Sequence, residues 1–146
     1  MYEHILISTD GSEVARKGVD HGLALAKALG AKATIVTVSE ALWAYVGGDG
    51  GLSPSAYLEY TEAQRMRAND ILAQTKASAD RQGVAAETLF LENAMPAEAI
   101  IDAAGTHGCS LIVMASHGRR GVQRLLLGSV TAEVVGRSPV PVLVVR

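Results

Sequence analysis

The chain has 146 residues, of which 49% are hydrophobic and 19% charged, and its formal net charge is -2. That length suits one domain with a real core. The composition excludes a disordered chain and a generally basic nucleic-acid binder, so any anion site has to be local.

HILIST (His4 to Thr9) is a short apolar run closed by Asp10-Gly11 and reads as a buried strand. From Ser12 the period becomes helical. Val14, Gly18, Gly22, Leu25 and Leu29 recur on one stripe, Ser12 can cap the start, and Gly30 can close the end in a left-handed conformation. KATIVTVSE (Lys32 to Glu40) is a second strand. Ser53-Pro54 then reads as a cap followed by proline at the first helical position, and Ala68, Ile71, Leu72, Thr75 and Ala79 carry a stripe toward Gly83. VAAETLFLE (Val84 to Glu92) is a third strand, with Ala86, Thr88 and Phe90 on one face and Glu87, Leu89 and Leu91 on the other. Pro96 opens the next helix without an evident side-chain cap, and Gly108 ends it. CSLIVMAS (Cys109 to Ser116) and VPVLVVR (Val140 to Arg146) are the last strands, separated by a helix that begins near Ser129.

Strands alternating with helices predict an α/β fold in one domain spanning 1–146: a doubly wound, five-stranded parallel sheet with helices on both faces. Ligands of such sheets sit outside the carboxyl ends of the strands, where strand order reverses. Three loops should converge there: Thr9 to Ser12, the segment from Val38 onward, and MASHGRRGVQRLLLGSV after the fourth strand.

The chemistry-bearing motifs are few. Cys109 is the lone cysteine and makes no internal disulfide. The opening MYEHILISTDGS lacks a signal peptide's basic start and long apolar stretch, and no apolar run approaches the roughly 18 residues of a membrane span. A cytoplasmic protein with no membrane or nucleic-acid partner is the expectation. GGDGGL lacks the last glycine of a dinucleotide fingerprint, and no Walker A sequence is present. Ser116 and His117 follow a strand, as a hydrolase nucleophile would, but neighbours on an extended loop point apart, so no nucleophile–base pair is expected. His4, His21, His107 and His117 show no shared-face spacing, and no metal site is expected. A phosphoacceptor receiver needs an aspartate at the end of the third strand, where this chain has only Glu92. Between Ala41 and Ser53, Trp43 and Tyr45 stand among four glycines; this segment is either a lid over a bound base or a surface loop.

Residues along the whole chain carry a resemblance. SLIVMASHG, the opening STDGS and the closing SPVPVLVV are similar to segments of the universal stress protein family. Its nucleotide-binding members show G-x2-G-x9-G-[S/T], and that register falls here on Ala115, Gly118, Gly128 and Ser129. The resemblance implies strand order 3-2-1-4-5, a homodimer and, in many members, bound ATP, with Mg2+ as a candidate companion. It also implies adenine contacts at Thr9, Asp10 and Val38, with Val38 offering backbone groups. Gly118 and Arg119 match the phosphate loop, and Gly128, Ser129, Val130 and Thr131 match the helix start that holds the phosphates.

Physics points the same way. Free N–H groups at a helix start and the hydroxyls of Ser129 and Thr131 suit an anion, while Arg119, Arg120 and Arg124 add charge or form an ordinary solvated loop. Ala115 departs from the pattern. If Ala115 has ordinary strand angles, the methyl only takes up space beside the ribose; if the family glycine has positive φ there, alanine reshapes the loop. Two functions therefore stand: an ATP-binding module in stress response or signalling, and a dimeric interaction module that has lost or weakened ATP binding. No general base is evident, so at most slow ATP hydrolysis is expected. The last strand has no following segment to cover its edge, which suits pairing with a second copy.

Overall fold

Ser12 starts the first helix, its hydroxyl accepting a hydrogen bond from the Ala15 N–H at 3.1 Å. The computed structural model describes residues 1–41, 51–118 and 126–146. In it β1 is His4–Ser8 and α1 is Glu13–Leu29, closed by Gly30 at φ 65°. β2 is Lys32–Glu40 and α2 is Pro54–Gln82, with Ser53 accepting from the Ala56 N–H at its start and Gly83 at φ 74° at its end. β3 is Ala86–Ala94, and α3 is Pro96–Thr106 with no side-chain cap. β4 is Leu111–Ala115, α4 is Ser129–Arg137 and β5 is Val142–Val145.

The five strands run parallel in the order β3-β2-β1-β4-β5. Both faces are buried, which is why the strands read as nearly continuous apolar runs. On one face Ile5, Ile7, Ile35 and Val113 pack with Val19 and Leu23 of α1 and Leu72 of α2. On the other, Leu6, Val36, Ile112 and Met114 pack with Ile100 of α3 and Val134 of α4. Ala86 and Phe90 join the first layer and Leu89 and Leu91 the second, as the alternation in β3 predicts.

The buried face of α1 departs from the predicted stripe. Ala15, Gly18, Val19, Gly22, Leu23 and Ala26 are buried, whereas Leu25 is only partly covered and Leu29 is 51% exposed. Close approach is the cause. A Cβ on Gly18 would lie 3.0 Å from the Ala115 backbone N, and one on Gly22 would lie 2.7 Å from Ile7 Cδ1. The glycines let α1 settle low on β1 and β4, so the residues flanking them fill the core.

Strand ends also shift for local reasons. β3 begins at Ala86 because the Val84 N–H is used by the Ala79 carbonyl at the end of α2. Cys109 and Ser110 precede β4 because their N–H groups bond to Ala104 and His4. β5 starts at Val142, since Pro139 and Pro141 have no N–H to donate.

At the amino end of the sheet, Thr34 donates its hydroxyl to Glu87 Oε1 at 2.8 Å and accepts from the Nε2–H of buried His4 at 2.7 Å. His107 Nδ1 lies 3.3 Å from the same Glu87 oxygen. Strand register thus gathers two histidines that are 103 positions apart and share no helical or strand spacing. Burial pushes the His4 pKa down, with Lys32 nearby adding to the effect. The hydrogen bond from Thr34 holds the Glu87 carboxyl below its ordinary value. Burial also pushes the Cys109 thiol up, which keeps it an unreactive apolar neighbour.

Folded His4 stays neutral while the unfolded chain takes up a proton below about pH 6.5, so stability is lost as pH falls through that value. Glu87, depressed when folded, loses its contribution at lower pH still. The expected thermal midpoint is flat above pH 7.5 and falls between pH 6.5 and 5, and His4→Gln flattens that fall. A parent protein with no change across that window would contradict the assignment.

Candidate functional site

The direction of strand order reverses at β1, which has β2 on one side and β4 on the other. Beyond the carboxyl ends of these strands lies a cleft of about 380 Å³, within the usual range for small-molecule sites. It straddles the sheet edge. α1 and α2 wall it on one face, and α3 and α4 on the other.

Thr9 and Asp10 line it from the β1–α1 loop. The turn is held from within: the Thr9 hydroxyl accepts from the Gly11 N–H at 3.1 Å, with Gly11 at φ 78°, and Asp10 Oδ1 accepts from the Ser12 N–H at 2.9 Å. Val38 lines it from β2. The last bond between β1 and β2 runs from the Thr9 N–H to the Val36 carbonyl. Strand backbone groups point the same way every second residue, so those of Val38 face past the end of β1 into the cleft.

Ala115, Gly118 and Gly128 line the cleft where β4 ends and α4 begins, followed by Ser129, Val130 and Thr131. The Gly128 N–H bonds to the Ser116 carbonyl at 2.8 Å, which pins the start of α4 to the end of β4. Gly128 occupies the N-cap with no side chain to satisfy the first turn. The N–H groups of Ser129, Val130 and Thr131 have no acceptor within the helix and sit at the cleft wall. Arg119, together with Arg120 and Arg124, lies outside the described residues, as do Trp43 and Tyr45 of the expected lid.

Two expectations change. The Thr131 hydroxyl does not serve an anion: it is buried and donates to the Ala115 carbonyl at 2.9 Å, tying α4 to β4. Ser116 and His117 do come together, with Ser116 Oγ 3.0 Å from His117 Nδ1. Alternation holds only inside a strand, and β4 ends at Ala115, so the bend at Ser116 lets the ring fold back. Ser116 remains buried and does not line the cleft, whereas His117 does. Backbone angles settle the alternatives left open at Ala115. Gly118 has no positive φ, and Ala115 keeps ordinary strand angles. By the alternation of Leu111 and Val113, the Ala115 methyl falls on the α1 face, beside Gly18.

The universal stress protein family model matches residues 1–146. The chain belongs to the universal stress protein family. It is 33% identical to universal stress protein YxiE of Bacillus subtilis, over the whole of both chains. Its fold matches that of protein MJ0577 of Methanocaldococcus jannaschii with a TM-score of 0.87, at 28% identity and covering 99% of this chain and 96% of that one. A universal stress protein in complex with cAMP matches with a TM-score of 0.69, at 27% identity over 99% of this chain and 97% of that one.

This family member also brings residues to the cleft that sequence reasoning missed. Tyr60 and Gln64 reach it from one face of α2, and Pro96 and Ile100 from the first turns of α3. The α3 pair had a signal, since the β3–α3 loop also lies at the carboxyl end of the sheet. Tyr60 and Gln64 had none, because only the packing of α2 brings them there. Glu40, at the end of β2, completes the wall. Among the described residues no group of three or more His, Cys, Asp or Glu is placed to hold a metal, and no helix is long and apolar enough to cross a membrane.

Proposed function

We propose that the chain is a nucleotide-binding module of stress response or signalling, that its ligand is ATP, accompanied by Mg2+, and that it works in the cytoplasm. The observation that carries this reading is the uncapped start of α4 at the cleft wall. There the first-turn N–H groups and the positive end of the helix dipole suit phosphate oxygens. The open backbone edge at Val38 supplies a donor and an acceptor for a base on the opposite side. The cAMP complex of the 27% identical relative supports an adenine nucleotide as the ligand class.

The competing interaction-module reading rests on Ala115. Its ordinary strand angles remove the backbone argument, and its methyl faces α1. Ala115→Gly is therefore expected to change ATP affinity by less than about threefold. We propose binding rather than efficient turnover, with at most slow ATP hydrolysis. β5 lies at the edge of the sheet and leaves Leu143 37% exposed, which supports a homodimer formed by pairing two β5 strands.

Denaturing protein purified without added nucleotide and weighing what it releases tests the ligand. An adenine nucleotide is the expected mass. Release of a guanine nucleotide or a dinucleotide in its place would overturn the ATP assignment.

A further inference from the structure

α2 is longer than the strands it packs on. Its 29 residues measure about 43 Å along the helix axis, whereas β2 and β3, of 9 residues each, measure about 30 Å. Its last turn is fixed at the amino end of the sheet, because the Val84 N–H bonds to the Ala79 carbonyl and the Ala33 N–H of β2 bonds to the Ala85 carbonyl. The excess length therefore projects past the carboxyl ends of the strands.

The projecting turns continue the face that α2 buries. Ala68 and Leu72 are buried on it, and the same i, i+4 row runs back through Gln64 to Tyr60, both of which line the cleft. Two contacts hold this part of the helix. A Cβ on Gly11 would lie 2.7 Å from Ile71 Cγ1, so α2 rides directly on the β1–α1 turn, and Arg65 Nη2 donates to Glu92 Oε1 near the end of β3 at 3.0 Å.

α2 packs along β2 and β3, whereas α4 packs against α3 and β5. Tyr60 thus stands on the Val38 side of the cleft, across from the start of α4. Pro96 and Ile100 of α3 line the cleft from the opposite face of the sheet. An aromatic side chain on one wall and aliphatic ones on the other suit a flat ring, and stacking on an aromatic face is worth several-fold in affinity for any base.

We propose that Tyr60 is the stacking surface for the base, so that the overhang of α2 makes the cleft bind a nucleotide through its ring as well as its phosphates; the inference rests on the nucleotide reading above. Stacking needs the ring and not the phenol hydroxyl. Tyr60→Phe should therefore keep what Tyr60→Ala loses.

The test combines calorimetric titration of ATP into the parent, Tyr60→Phe and Tyr60→Ala with nuclear Overhauser spectra of ATP in the parent, circular dichroism confirming each fold. Tyr60→Ala is expected to weaken ATP binding by roughly fivefold to fiftyfold, and Tyr60→Phe by less than about twofold. The adenine H2 or H8 proton should show a contact to the Tyr60 ring, assigned by its change of position in Tyr60→Phe. An alanine variant with the parent's affinity, a phenylalanine variant that falls as far as alanine, or ATP bound without an adenine contact to Tyr60 overturns the stacking role and leaves ATP binding standing. A parent that binds no ATP overturns the nucleotide reading and the stacking role together.

Discussion

Gly118→Val is expected to lower ATP affinity by roughly ten- to a hundredfold, the equivalent of about 1.4–2.7 kcal/mol. A Cβ at this position would stand 2.7 Å from Asp10 Oδ2. That carboxylate is tethered, because Oδ1 accepts from the Ser12 N–H, so swinging it aside costs that bond and loosens the β1–α1 turn. Either the Asp10 side chain with its turn or the loop after β4 has to give, and both line the cleft. The effect is steric and does not depend on a left-handed backbone, so Gly118→Ala should already show part of it. Arg120→Ala, by contrast, removes one screened charge and is expected to change affinity by less than about threefold. Calorimetry on folded variants checks the order, and equal losses for Gly118→Val and Arg120→Ala would contradict it.

Gly18→Val should cost about 3 kcal/mol of folding stability, at the upper end for overpacking a core. Its Cβ would sit 3.0 Å from the Ala115 N and 3.3 Å from the Met114 carbonyl carbon, and backbone at the centre of a sheet yields little. Pushing α1 off β4 would also displace Ala115, so ATP affinity should fall along with stability. Gly136→Ala in α4 is the control. Nothing lies within 4 Å of a Cβ there, so the gain in helix propensity should stabilise by about 0.5–1 kcal/mol. Urea unfolding measures both. A Gly18→Val variant as stable as the parent would mean that α1 does not ride as close to β4 as described.

These two glycines mark the boundary of what the sequence could tell. Helix ends were legible because their chemistry is local: Ser12, Gly30, Ser53 with Pro54, and Gly83 each act within a few residues. Strand order followed from the alternation of elements together with the family resemblance, and the unbroken apolar runs matched a sheet buried on both faces. The core face of α1 was not legible, since a glycine signals close approach only once the partner strand is known. Thr131 was misread for a similar reason: its hydroxyl is taken by a carbonyl 16 positions earlier in the chain. The Ser116–His117 contact depends on where β4 stops, and an apolar run longer than its strand conceals that point. The loops that converge on the cleft were predictable from the winding of the sheet, whereas the α2 contribution from Tyr60 and Gln64 depends on tertiary packing alone.

The central claim is that the cleft beyond β1 and β4 holds ATP against the start of α4. Calorimetric titration of ATP with magnesium into the parent protein and into Ala115→Gly tests it most directly. Saturable binding near one nucleotide per chain is expected in both, with dissociation constants below about 1 mM and within about threefold of each other. Absence of saturable binding in both proteins at millimolar ATP would contradict it.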